Sequence, residues 1–166
     1  MSQPIDLLIE PRWLIPVEPQ GVVLEDHAVA VSAGKILDVL PAQAAHQRYR
    51  PERQVALPQQ VLIPGLINLH THAAMALLRG IADDLPLMDW LKTHIWPAEA
   101  RHVSAAFVRD GTLLACAEML RGGITCFNDM YFFPEAAAEA SRSLGMRAVL
   151  GMVVIEFPTA YATDAD

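Results

Sequence analysis

The chain has 166 residues, of which 53% are hydrophobic and 19% charged, with a net charge of −7. That length and balance suit a globular domain with a packed core and exclude a disordered chain. The acidic balance and scattered arginines argue against a nucleic-acid surface, and the longest apolar runs fall far short of the ~20 residues that span a membrane.

The N-terminal stretch MSQPIDLLIEPRW has no basic region followed by an apolar core. It does not read as a signal peptide, which places the protein in the cytoplasm. Ile5 to Ile9 is apolar and predicts a strand; EPRWLIPVEPQG carries three prolines and a glycine and predicts a turn-rich connection with a brief strand inside. HAVAVSAGKILDVL predicts a hairpin, with strands Ala28 to Val31 and Ile36 to Leu40 around the turn Ser32-Ala33-Gly34-Lys35. PAQAAHQRYRPERQ is polar and reads as irregular. Residues 1–60 therefore predict a small antiparallel sheet, too small to be stable alone.

At Val61 the pattern changes. VLIPGLINLH is a nearly continuous apolar run, the mark of a strand buried on both faces. Ser104 is placed to cap a helix running to Arg121, which Gly122-Gly123 ends. Ile124 to Met130 predicts a strand, PEAAAEASRSLG a helix between Pro134 and Gly145, and MRAVLGMVV a third strand. Cys116 and Cys126 each lie in an apolar element without a CxxC partner, which suits two buried free thiols in a reducing compartment. Alternating strands and helices over 61–166 imply right-handed crossovers and a parallel sheet. An open doubly wound sheet and a (β/α)8 barrel both begin this way. No GxGxxG follows the first strand, which weakens the dinucleotide-binding version.

His70 and His72 flank Thr71 at the end of the first of these strands. Alternate residues of a strand project to one side, and the C-terminal ends of parallel barrel strands carry active sites. Two imidazoles there can share a zinc or iron ion. The plainer reading is two polar residues where a strand runs into a loop.

The segment VLIPGLINLHTHAAMALLRGIADDLPLMDWL resembles the first metal-binding strand of the amidohydrolase superfamily. More narrowly, it resembles the branch of methylthioadenosine/S-adenosylhomocysteine deaminases and triazine hydrolases. The residues that carry this are the PGxxNxHTH run, LLRG, Asp89-Trp90, WPAE at Trp96 to Glu99, and GGITCFNDMYFFPE at Gly122 to Glu135. The similarity continues through Ala148 to Val154 into IEFPTAYATDAD, and residues 1–60 are similar to the N-terminal half of the family's small β-sandwich.

The resemblance implies an α/β fold: the N-terminal part of a (β/α)8, TIM-like metal-dependent hydrolase barrel in 61–166, preceded by half of a small β-sandwich in 1–60. His70 and His72 match the first two metal ligands. The implied metal is zinc, one ion per active site, with Fe2+ or another divalent ion as the alternative; it makes hydroxide available near neutral pH to displace ammonia from C6 of an adenine ring. Glu99 matches a glutamate that accepts hydrogen bonds from ribose hydroxyls, whereas locally it reads only as a helix-start carboxylate. Trp90 matches the apolar wall beside the substrate, or is core packing. Arg79 and Gly80 shape the loop after the metal strand. Asn128 and Asp129 end the second strand; Asp129 is either a carboxylate behind a ligand histidine or loop, or an ordinary turn residue. His27, His46, His94 and His102 read as surface or capping residues.

A third metal-binding histidine, an aspartate and the proton-moving glutamate and histidine of the deaminases have no match in this chain. The resemblance puts them beyond Asp166, in a protein roughly three times as long, since such barrels run to ~250 residues. No catalytic residue is then expected within the chain, and alone it is expected to be inactive. The implied substrate is a small purine nucleoside, 5′-methylthioadenosine or S-adenosylhomocysteine, and the implied assembly a homo-oligomer, with no nucleic acid or membrane partner. The alternatives are another amidohydrolase (a guanine or cytosine deaminase, or a triazine hydrolase) and a non-catalytic truncated fragment.

Overall fold

A computed structural model describes residues 2–156 and 158–163. The chain divides into two compact units, Met1–Pro64 and Gly65–Asp166.

The first unit is a five-stranded sheet with one helix. Its elements are β1 (Gln3–Leu14), β2 (Leu24–Glu25), β3 (His27–Ser32), β4 (Lys35–Pro41), α1 (Ala42–Arg48) and β5 (Tyr49–Leu62). β1 pairs antiparallel with β2 and β3, and β3 with β4. The predicted hairpin is present. Its two turn residues, Ala33 and Gly34, have φ of 50° and 72°, as a primed hairpin turn requires. The carboxylate of Asp6 on β1 holds this turn by accepting from the Ala33 N–H at 2.7 Å.

Two expectations are corrected here. The stretch read as irregular is α1 followed by β5, a strand of 14 residues. Alanines favour the helix; Ala45 is fully buried, and Tyr49 is buried and reaches Asp38 with its hydroxyl at 3.2 Å. β5 stays polar because β1 is its only partner among the described residues, and an edge strand tolerates Pro51 and Pro58. The sheet is also mixed rather than antiparallel, because β5 runs parallel to β1.

The second unit is a parallel sheet in the order β6-β7-β8. It comprises β6 (Leu66–Thr71), a 3₁₀ helix (Ala73–Leu78), α2 (Leu87–Trp90), a π turn (Leu91–Ile95), α3 (Trp96–His102), α4 (Ala105–Arg121), β7 (Ile124–Met130), α5 (Pro134–Ser143) and β8 (Arg147–Gly151). α4 begins as predicted: the Ser104 hydroxyl accepts from the Phe107 N–H at 3.2 Å. Gly123 and Gly145, with φ of 81° and 66°, turn the chain after α4 and α5. The core gathers Ala115, Cys116 and Met119 of α4 around Phe127 of β7.

Leu62 and Leu66 end and begin separate strands, so VLIPGLINLH is not one strand. Pro64 between them has no N–H to add to a ladder, and a Cβ on Gly65 would lie 2.2 Å from the Thr125 hydroxyl. Nor is β6 buried on both faces. Leu66, Ile67 and Leu69 are 51%, 63% and 75% exposed, because β7 is the only strand beside β6 among the described residues. Both cysteines are free, but only Cys116 is buried. Cys126 alternates with Phe127 on β7 and points away from the face that α4 covers. Among the described residues no helix is long and apolar enough to cross a membrane.

Candidate active site

The site lies at the C-terminal ends of β6 and β7. His70 lies on β6 and His72 directly follows the strand; their rings meet edge to face with centroids 5.1 Å apart. Thr71 points the other way. Its hydroxyl lies 2.8 Å from Asp129 Oδ1 and 2.9 Å from the Asn128 carbonyl and shares its proton between them. Asp129 Oδ1 also accepts from the Ala73 N–H at 2.8 Å, and the Asn128 amide donates to the Leu69 carbonyl at 3.1 Å. The buried Asp129 therefore ties the Thr71 side chain and the Ala73 backbone, one on either side of His72.

His72 Nδ1 lies 2.7 Å from the Met130 carbonyl. A carbonyl only accepts, so Nδ1 carries the proton and the Nε2 lone pair is left for a ligand.

His72, Trp90 and Glu99 wall one pocket of about 510 Å³, together with Tyr131 and the apolar side chains of Met75, Leu87, Leu91, Ile95 and Phe132. His70 joins this group through its ring contact with His72. Trp90 is fixed by its indole N–H, which donates to the Ile81 carbonyl at 2.7 Å. Glu99, on α3, accepts from the Tyr131 hydroxyl at 2.7 Å. Burial pushes the Glu99 carboxyl above the usual range, against the Tyr131 hydrogen bond, which lowers it. Burial and the Glu99 carboxylate push the Tyr131 phenol far up, so it remains a donor. The sequence gives no role to Tyr131 or to the Met130 carbonyl. The signal available was position: both follow Asn128 and Asp129 at the end of a strand that faces the site.

The profile of the amidohydrolase family matches residues 61–166. The chain belongs to the amidohydrolase family. It is 49% identical over 160 residues to a 5-methylthioadenosine/S-adenosylhomocysteine deaminase of Saccharophagus degradans, covering 96% of this chain and 36% of that protein. Against the enzyme of the same name from Nitratidesulfovibrio vulgaris strain Miyazaki F the identity is 45%, over all of this chain and 38% of the relative. The crystal structure of an adenosine deaminase from Xanthomonas campestris with bound zinc superposes with a TM-score of 0.97 at 55% identity, covering 100% of this chain and 38% of that one. A zinc-complexed atrazine chlorohydrolase from Arthrobacter aurescens shares the fold at 22% identity and a TM-score of 0.82, over 95% of this chain and 39% of that one. The chain thus spans little more than a third of the length of these relatives.

For an amidohydrolase metal the donor set here fits, as a part of a site. A ligand histidine that donates its second ring N–H to a backbone carbonyl has its tautomer and orientation set, and His72 does this through Met130. Among the described residues no group of three or more His, Cys, Asp or Glu stands together to hold a metal. The chain offers two imidazoles of a tetrahedral set.

Proposed function

We propose that the chain contributes the first two zinc ligands, His70 and His72, and much of the substrate wall of a cytoplasmic aminohydrolase acting on a purine nucleoside. The reaction is conversion of 5′-methylthioadenosine or S-adenosylhomocysteine to the inosine analogue plus ammonia. Residues 61–166 would be the first three βα units of a (β/α)8 barrel and 1–60 part of a β-sandwich. The observation that carries this reading is that His72 and Glu99 wall one apolar pocket, joined through Tyr131. The names and identities of the relatives support it.

Zinc, when bound, supplies a Lewis acid that makes water nucleophilic near neutral pH. The chain's own groups do the rest of the work assigned to it. His72 would leave its Nε2 lone pair free for the metal by donating its Nδ1–H to the Met130 carbonyl. Trp90, Leu87 and Leu91 exclude water from the ring of the substrate. The Glu99 carboxylate accepts hydrogen bonds from the ribose hydroxyls. The remaining ligands and the proton-moving groups lie outside the described residues.

The test is an assay of the full-length zinc-loaded protein, following the change in adenine-ring absorbance with both nucleosides. Turnover of one or both is expected. Glu99→Gln is expected to raise KM for the nucleoside about tenfold with kcat little changed, the mark of lost uniform binding. Unchanged absorbance with both nucleosides, or turnover of free guanine or cytosine instead, overturns the reading.

A further inference from the structure

Three consecutive residues at the end of β7 each hold a different part of the pocket. Asp129 holds the backbone around His72, the Met130 carbonyl holds the His72 ring, and the Tyr131 hydroxyl holds Glu99 Oε1 at 2.7 Å. The phenol is itself well anchored. Tyr131 is buried in one cluster with Ala74, Val103, Val108 and Ala136, and its ring lies 5.1 Å from that of Phe132.

Glu99 has the opposite character. It sits on a helix of seven residues and has three side-chain torsions before its carboxylate. Left alone, such a side chain spends binding energy on being ordered. A carboxylate offers about four acceptor positions, so the Tyr131 hydroxyl occupies one, and Oε2 is left to a ligand. Glu99 also lies where the pocket of His72 meets a second one of about 260 Å³, since Trp96, Glu99 and Phe132 line both. The middle of an elongated ligand would face this carboxylate.

We propose that Tyr131 is a positioning residue for diol recognition: its hydroxyl fixes the Glu99 carboxylate in the pocket wall so that a substrate with two vicinal hydroxyls is bound there without ordering the glutamate first. The inference rests on the reading of Glu99 as the ribose-binding residue.

The experiment uses the full-length zinc-loaded protein with two substrates, methylthioadenosine and its 2′,3′-dideoxy analogue. Tyr131→Phe is expected to raise KM for the diol substrate about tenfold, with kcat within about threefold, and to leave KM for the dideoxy analogue within about twofold. Zinc content and thermal melting check that the site is intact. Tyr131→Met fills the space without an O–H donor; it is expected to show the same split and stands in should Tyr131→Phe not fold. An equal rise in KM for both substrates would assign the phenol to packing and overturn the proposal, as would no change for either. Glu99→Gln, measured on the same pair, separates the two readings. If Glu99→Gln leaves the preference for the diol intact, the ribose reading itself fails. If Glu99→Gln abolishes the preference and Tyr131→Phe does not, only the positioning role fails.

Discussion

Asp129 is 2% exposed, and both of its hydrogen-bond partners, Thr71 and Ala73, are the immediate neighbours of His72. Removing the carboxylate leaves the Ala73 N–H without this acceptor and the Thr71 hydroxyl to the Asn128 carbonyl alone. Asp129→Ala is therefore expected to cost about 3 kcal/mol in a denaturant melt, and Asp129→Asn, which retains an acceptor, about 1 kcal/mol. Because Thr71 and Ala73 flank the imidazole proposed as a ligand, Asp129→Ala is also expected to weaken zinc binding by the full-length protein about 10- to 100-fold. A chelator competition reads that second effect, and unchanged zinc affinity in a folded variant would show that the brace serves stability alone. At this scale the sequence was informative where the chemistry is local. The spacing of His70 and His72 already puts both rings on one side of a strand. The bond between Glu99 and Tyr131 was not legible, since the two lie 32 positions apart and meet only in the fold.

Among the elements, α4 bears most directly on the site, because it packs on the 3₁₀ helix that follows His72. The two come close at Gly111. A Cβ there would lie 2.5 Å from the Ala74 carbonyl oxygen and 2.8 Å from its Cα. Both are backbone atoms, so no flexible side chain can yield. Alanine is the better helix former by ~1 kcal/mol, yet overpacking costs roughly 1–3 kcal/mol when backbone must shift. Gly111→Ala is expected to lose about 2 kcal/mol in a denaturant melt; a gain in stability would mean that the two helices are free to separate. The extent of α4 was legible from a capping serine at one end and a glycine pair at the other. α1 and β5 were not, because the cues that reveal an amphipathic element are weak there. β5 shows water most of its side chains, and its pairing with β1 is parallel, which no local turn announces. The break between β5 and β6 was also hidden, since Pro64 and Gly65 sit inside an apolar run and the reason for the glycine is Thr125, far along the chain.

For the molecule as a whole, the parallel order β6-β7-β8 follows from alternating strands and helices, and it sets His72 in the pocket wall with the His70 ring against it. Two imidazoles set the scale of metal binding by these residues. Complete structural zinc sites in small domains release ~10–16 kcal/mol at neutral pH. A site with half its ligands forfeits about 5 kcal/mol or more, which at 1.4 kcal/mol per decade is at least about a 1,000-fold loss of affinity. The 166-residue chain is accordingly expected to bind zinc at least about 1,000-fold more weakly than the full-length protein, with His70→Ala and His72→Ala each abolishing what binding remains. Competition against a chromophoric chelator measures both proteins on one scale. Equal affinity would show that a complete coordination shell forms without downstream residues, for instance between copies of the chain across the exposed strand β6. Loss of binding in the His72 variant but not in the His70 variant would instead place the metal on one imidazole and the pocket, and the paired-ligand reading of the strand end would have to be withdrawn.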